Sequence, residues 1–422
     1  MSIDGYDGGG RILTHSGAGT LSITGLTMIH GYEYEVGGCV RSSGNLALDN
    51  VDVRYYTSVT YDTTSYVGGG GGVFVAGNLT MSRSAIAGNL AVAGQLGRAF
   101  GGGAYVLGSV DIRDSAITGN YVAAGSGLGN IGGITIVGRA PSTIVNSTIS
   151  DNAAANNVGG IYAYSQLTLS NSTVSFNEAT HGQSTPGAYF AGAPITINSS
   201  ILSNNTWGDN IEFDLSLYYG SVSGTNNIIM GSNDSPPGTL TTDPHLQPLA
   251  DNGGPTKTRA ILATSAAVNA GSNVAGLSTD QRGPGFPRQS GSQVDIGAFE
   301  FQVPPPMTYT IGGTVAGLDG IGLILQQSGG DNLPDLRRWQ FHVQYTGQRS
   351  HPVPRDCARA ANFAEPDLRG GERRRRRGRR RCHRRCSHLH HPRLRRRRQR
   401  QWAGRKWAGV AAKWWRRPAD RG

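Results

Sequence analysis

Apolar residues spaced by two, a polar pair, a further apolar residue and a closing Asn recur as one phrase along the first half of the chain. The clearest copies are Leu79-Thr80-Met81 with Ile86 and Asn89, Val110-Asp111-Ile112 with Ile117 and Asn120, Leu167-Thr168-Leu169 with Val174 and Asn177, and Ile195-Thr196-Ile197 with Leu202 and Asn205. A partial copy runs from Ile144 to Asn152, while Leu21–Gly31 and Leu46–Tyr56 keep the apolar spacing and lack the Asn. Between copies a glycine pair precedes a short β-prone run: Gly37-Gly38, Gly71-Gly72, Gly102-Gly103, Gly132-Gly133 and Gly159-Gly160, decaying to Gly187-Ala188. Successive Asn anchors lie 31, 32, 25 and 28 residues apart.

Apolar residues at period two occupy one face of a strand. Two or three short strands per repeat, turned by Gly or Asn corners, close into a coil, and stacked coils pair each strand in parallel with its copy in the next. Leu79, Met81, Ile86 and their equivalents then form a continuous core, and Asn89, Asn120, Asn152, Asn177 and Asn205 stack as a hydrogen-bonded ladder. The repeats are too short for propeller blades. Variable Gly/Ala/Ser-rich inserts such as 91–100 suit loops budding from a coil better than sandwich hairpins. The fold expected is all-β, a right-handed parallel β-helix of the pectin-lyase-like solenoid type over residues 1–235.

Composition sharpens this picture. Gly stands at 63 of 422 residues, about twice the usual share of roughly 7%, with no triplet period, which excludes collagen. The formal charge of +11 divides into two opposite parts: residues 1–333 hold 11 Lys+Arg against 22 Asp+Glu, and residues 334–422 hold 28 against 6. The acidic body is not a basic nucleic-acid binder. It contains one cysteine, Cys39, so no disulfide framework exists there. No apolar run is long enough to span a bilayer. Met1–Gly5 lacks the features of a signal peptide, so export would require a start further upstream.

Beyond the repeats stands a dense, non-repeating stretch. It contains Asp243-Pro244-His245-Leu246, Leu249-Ala250-Asp251-Asn252-Gly253-Gly254-Pro255-Thr256, Ser265-Ala266-Ala267-Val268-Asn269-Ala270-Gly271, Asp280-Gln281-Arg282-Gly283 and Asp295-Ile296-Gly297-Ala298-Phe299-Glu300. In this order the submotifs resemble the C-terminal cap of bacterial β-helix proteins of the choice-of-anchor Q group. The departure is at 265–271, where that group usually has proline and aspartate. The upstream repeats are similar, less specifically, to those of polymorphic outer-membrane proteins. The resemblance implies an exported, cell-surface or released bacterial protein and no particular chemistry. It also makes 236–302 a cap over the end of the solenoid, with Asp243, Asp251, Asp280, Arg282 and Asp295 in structural roles. The alternative for Asp243, Asp251 and Asp295 is a Ca2+ site. No other cofactor is expected.

Residues 303–333 comprise a linker and strands resembling the opening of a β-sandwich repeat of bacterial surface proteins. The chain then turns Arg-rich. Dropping one base from a back-translation of Trp339–Gly347 yields G-S-F-T-F-N-T-P, the strand such a repeat would continue with, and Arg outnumbers Lys 36 to 3 across the chain. Residues 334–422 are therefore expected to be a frameshifted or disordered tail. If the tail is genuine, its Arg runs with Trp402, Trp407, Trp414 and Trp415 suit nucleic acid or an anionic surface. Cys382 and Cys386 with His388, His390 and His391 are then weak zinc candidates.

Polysaccharide cleavage needs clustered carboxylates, with a basic proton abstractor in a lyase or a carboxylate pair in a hydrolase. The acids available are Asp111, Asp114, Asp151, Asp209, Glu212 and Asp214. Asp111, Arg113 and Asp114 form the one local trio in the central repeats and are the catalytic candidates, with a solvated strand face as their plain reading. His30 and His181 are expected in loops. Tyr105, Tyr162, Tyr164, Tyr189, Phe190 and Trp207 fall near the glycine-pair strands, where aromatics can pack a core or bind sugars. The function expected is a non-catalytic scaffold or adhesin, a monomeric rod at the cell surface or outer membrane, or released, meeting glycans or a neighbouring cell surface. A polysaccharide lyase or glycoside hydrolase is the alternative.

Overall fold

A computed structural model describes residues 1–5, 10–60, 67–94, 98–123, 130–181, 185–192, 194–208, 211–232 and 234–303, together with four short strands between Thr308 and Thr346. All regular elements among these residues are strands. The chain winds into a parallel β-helix with three faces. The first face holds the glycine-pair strands, among them Val73–Val75, Ala104–Val106, Ile134–Ile136, Ile161–Ala163 and Ala188–Ala191, in an eight-stranded parallel sheet. The second, also eight-stranded, holds the strands that open each phrase, such as Leu79–Ser82, Val110–Arg113, Ser142–Val145 and Leu167–Ser170.

Register follows the sequence phrases. Met81 pairs with Ile112, Ile112 with Ile144, Ile144 with Leu169 and Leu169 with Ile197. These side chains are buried in one continuous apolar core. Each contributes on the order of 1.5–3 kcal/mol by leaving water.

The third face explains why the earliest phrases lack the Asn. Asp52–Thr60 is a single nine-residue strand. It pairs with both Ala85–Ala87 and Leu90–Ala93, two strands separated by a corner at Gly88-Asn89. From there on every coil turns at this corner and an Asn fills it. Asn89 Nδ2 donates to Asn120 Oδ1 (2.9 Å), Asn120 to Asn152 (2.9 Å), Asn152 to Asn177 (2.9 Å) and Asn177 to Asn205 (2.8 Å). The same oxygens accept the preceding backbone N–H groups, and the second Nδ2 hydrogens reach carbonyls such as Ile86 O and Ile117 O. The glycine pairs fit against this file: a Cβ on Gly160 would lie 2.4 Å from Gly187 O and 3.0 Å from Asn177 Nδ2. The file ends at Asp214, whose Oδ1 accepts from Asn205 N and Nδ2 and whose Oδ2 accepts from Gly231 N.

A second file runs beside it, through the residue read only as half of a polar pair. The backbone N–H groups of Ser84, Ser115, Ser147 and Ser172 donate to the hydroxyls of Ser115, Ser147, Ser172 and Ser200 at 3.1–3.2 Å. Each hydroxyl donates to a carbonyl two residues back, as Ser147 Oγ does to Val145 O at 2.7 Å. Asn227 Oδ1 closes this file on Ser200 N. The residue before each serine (Arg83, Asp114, Asn146, Asn171, Ser199) has φ between 46° and 51°, a left-handed corner that Asn and Asp tolerate best among side-chain-bearing residues.

The C-terminal block does more than cover the end. Leu240 bridges to Ile228 at the last coil, but much of 246–300 lies along the flank of the third face. Thr148 Oγ1 donates to Gln281 Oε1 (2.6 Å), Ala298 N to Thr173 Oγ1 (3.1 Å), Gly297 N to Ser199 O (2.8 Å) and Asn171 Nδ2 to Ser272 O (3.2 Å). Ile261, Ala267, Ile296 and Phe299 pack on the outward Ile201 and on Ile228. The strands Ala116–Thr118, Thr148–Ser150, Thr173–Ser175 and Ile201–Ser203 are consequently buried on both faces. The docking is lateral where outward Ala116 and Ile201 are apolar and the outward hydroxyls of Thr148 and Thr173 bond to the block.

Past the block, Thr308–Gly313 pairs antiparallel with Phe341–Thr346, and Leu325–Gln326 with Asn332–Leu333. The first pairing crosses the boundary expected at 333. Residues 347–422, with their expected disorder and the zinc and nucleic-acid candidates, lie outside the described residues.

Candidate functional site

On the first face, the flanking positions of each short strand point inward and the middle one outward. Val73, Val75, Ile161 and Ala163 are buried in the core. The outward column therefore reads Arg41, Phe74, Tyr105, Thr135, Tyr162, Tyr189 and Ser216, each paired in register with the next. Phe74 meets Tyr105 edge to face (5.6 Å between centroids), and Phe100 stacks on Tyr105 at 5.4 Å. Tyr162 and Tyr189 stack at 5.7 Å with 10° between their planes. Partial burial raises the phenol pKa of Tyr105, Tyr162 and Tyr189, so the hydroxyls remain neutral donors.

Thr135 interrupts the column between two aromatic pairs. Its side chain is fully buried and, among the described residues, Oγ1 has no hydrogen-bond partner, a costly arrangement for a hydroxyl. Of the aromatics singled out from the sequence, Tyr105, Tyr162 and Tyr189 come together here, and Tyr164 is exposed just past its strand. Phe190 points the other way, into the core. Trp207 lies on the third face, paired with Ala179. Phe74, Phe100 and Thr135 were not anticipated. The signal that could have found Phe74 and Thr135 is parity, since each stands two residues after a glycine pair, as Tyr105 and Tyr162 do.

The carboxylate candidates are distributed among structural tasks. Asp111 is outward on the second face, where its Oδ1 accepts from Thr143 Oγ1 (2.6 Å) and lies 3.1 Å from Arg113 Nε. Its partners on the adjacent coils are Thr80 and Thr143, so no carboxylate pair forms in that column. Asp114 occupies a left-handed corner (φ 51°) and accepts from Asn146 Nδ2 at 2.5 Å, with burial raising its pKa. Asp151 pairs with Arg259 (2.6 Å), whose guanidinium lies 3.8 Å over the Phe176 ring at a shallow cavity of about 460 Å³. Asp214 ends the Asn file. His30 is a left-handed corner residue stacked on Tyr55 and 3.2 Å from Asp4. Asp209 and the side chains of Glu212 and His181 lie outside the described residues.

The three candidate Ca2+ ligands are not brought into one group. Asp243 accepts from His245 N and Asp251 from Gly253 N, each in its own exposed turn. Asp295 is buried and accepts from Asn269 N (2.7 Å) and Phe301 N (2.6 Å). Among the described residues no three His, Cys, Asp or Glu side chains gather as a metal site. Asp280 and Arg282 form a buried ion pair. Arg282 also donates to Glu300 O (2.7 Å) and lies between the rings of Phe286 (3.9 Å) and Phe299 (3.8 Å). Arg288, also buried, donates to Asp295 O (2.6 Å) and lies 3.7 Å from Glu300. Burial pushes the Glu300 carboxyl up to about 7.

No family model, no curated protein and no solved structure matches the chain.

Proposed function

We propose that this chain is an exported bacterial surface β-helix of the choice-of-anchor Q type, acting as a non-catalytic scaffold or adhesin that meets glycans or a neighbouring cell surface. The outward aromatic column on the first face is the observation that carries the reading, because it presents ring edges and hydroxyls at coil spacing on a stiff support. The acidic side chains support it too. Asp114, Asp151 and Asp214 hold a corner, the flank block and the end of a file, which is work for a scaffold and not for proton transfer.

The test is incubation of the full chain with polygalacturonate, alginate and neutral polysaccharides, with product release and retention measured on the same samples. Retention without product is expected. Product release abolished by Asp111→Asn or Arg113→Lys would establish the alternative, a polysaccharide lyase or hydrolase, and overturn the proposal.

A further inference from the structure

The last pairing on the first face is irregular. Between Ala188–Ala191 and Leu215–Tyr219 the register shifts after Phe190, so that Ala191 pairs with Tyr219 and Tyr218 is the extra residue. A bulge of this kind breaks the alternation of inward and outward side chains and re-aims those beside it. Leu217 still packs on the core. Tyr218 and Tyr219 both stand in solvent, 61% and 67% exposed, although Ala191 opposite is buried. Their rings meet edge to face at 4.4 Å. Tyr189 is the next ring: burial, and then the neighbouring phenols of Tyr162 and Tyr218, raise its pKa. Burial and then Tyr164, which is 49% exposed, do the same to Tyr162. Tyrosines from three successive coils therefore share one open patch.

The size and charge of the patch select its occupant. Three coils span roughly 10 Å along the axis, and alternate residues of a strand lie roughly 7 Å apart, which gives an area on the order of 200 Å². A stable protein interface takes about 800 Å² from each partner, well beyond this patch. No charged residue stands on the three strands, and the ionisable group bonded at their border is Asp234, which accepts from Leu217 N. Residues 1–333 carry 22 acids against 11 bases, so anionic headgroups and uronates are repelled. A neutral sugar fits: its C–H groups carry slight positive charge and suit the negative faces of aromatic rings, and its hydroxyls exchange hydrogen bonds with phenols, which both donate and accept.

We propose that the patch formed by Tyr162, Tyr164, Tyr189, Tyr218 and Tyr219 binds a neutral glycan across the last coils of the first face. The inference rests on the surface-binding reading and gives it a place and a ligand class. The test is co-sedimentation of the full chain with insoluble cellulose, xylan, mannan and calcium polygalacturonate. Salt of about 0.3 M shortens the reach of the Arg-rich segment's charges to roughly 6 Å.

The expected result is saturable binding to at least one neutral glycan, weakened several-fold by Tyr164→Ala or Tyr219→Ala and more than about tenfold by Tyr218→Ala and Tyr219→Ala together. These side chains are exposed, so their removal leaves the core intact, and circular dichroism melts confirm folding. Tyr55→Ala, exposed on the third face, should leave binding unchanged. Equal affinity in the parent chain and the variants, binding to polygalacturonate alone, or none to any glycan overturns the inference. So does a dimer in light scattering that the paired substitutions dissolve, which would make a second copy the occupant. Adhesion to cells that survives the substitutions would still leave the surface-binding reading standing, whereas product release would remove it.

Discussion

Asn120 is the position where the Asn file can be tested most sharply. Its side chain accepts from Asn89 N (3.0 Å) and Asn89 Nδ2 (2.9 Å) and donates to Ile86 O (2.9 Å) and Asn152 Oδ1 (2.9 Å), all buried. Asn120→Ala removes these four bonds. Asn89 Nδ2 keeps Val53 O and Asn152 Oδ1 keeps Asn120 N. The group left stranded is the backbone N–H of Asn89, because Ile86 O stays within the ladder to Ala116–Thr118. At about 1–3 kcal/mol for the stranded buried group and about 1 kcal/mol for each of the three other lost bonds, the variant should lose about 4–6 kcal/mol. Urea unfolding measures the total, and amide exchange locates it: Asn89 N–H and its neighbours in adjoining coils should lose protection before distant coils do. Asn120→Asp sharpens the argument, because it still accepts from Asn89 but sets a carboxylate oxygen against Ile86 O and Asn152 Oδ1. A loss below about 1 kcal/mol for Asn120→Ala, or Asn120→Asp tolerated at neutral pH, would refute the claim that the file holds the corner.

Three further outcomes are expected. Asp214→Asn should cost about 1–3 kcal/mol in urea melts, since an amide N–H would then face Gly231 N–H where Oδ2 now accepts it; unchanged stability would contradict this. Gly160→Ala should destabilise by about 1–3 kcal/mol or more, because the added carbon meets a backbone oxygen at 2.4 Å, and a neutral result would show that the coils can spread apart. Glu300, surrounded by Asp280, Asp295, Arg282 and Arg288, has its folded pKa raised from 4.5 to about 7. It therefore holds its proton more firmly folded than unfolded, and its contribution to stability falls as pH rises from about 4.5 through 7, by up to about 3 kcal/mol. Asp114 and Asp295 are shifted in the same direction. Urea melts at acid and alkaline pH should thus differ less for Glu300→Gln than for the parent chain, and parallel curves would remove Glu300 from the account.

What the sequence made legible was whatever repeats. Period-two apolar residues set the register Met81–Ile112–Ile144–Leu169–Ile197, and the spaced Asn residues marked one corner. The serine file was in view as well, since Ser84, Ser115, Ser147, Ser172 and Ser200 each stand two residues before the buried Ile86, Ile117, Ile149, Val174 and Leu202. It went unread because serine on a strand is ordinarily just polar. The lateral docking was not legible. Thr148, Thr173 and Ile201 meet residues about a hundred or more positions away along the chain, and no periodicity reports such a contact. Among the binding candidates, parity separates Tyr189 from Phe190: the first continues the outward column, the second the inward one.

Asparagine and aspartate differ in this solenoid as a link and a terminus do. An Asn in the file accepts from the coil before it and donates to the coil after it, so it recreates for the next coil the demand it has just met. Every link from Asn89 to Asn205 passes that demand forward in one direction along the axis. A carboxylate accepts and passes nothing on. With Asp214 the sequence of requirements stops, and the oxygen left over takes a backbone N–H of the chain's own turn. A single carboxylate thereby closes this file at the start of the last coil, whose strands still pair in parallel with those before it.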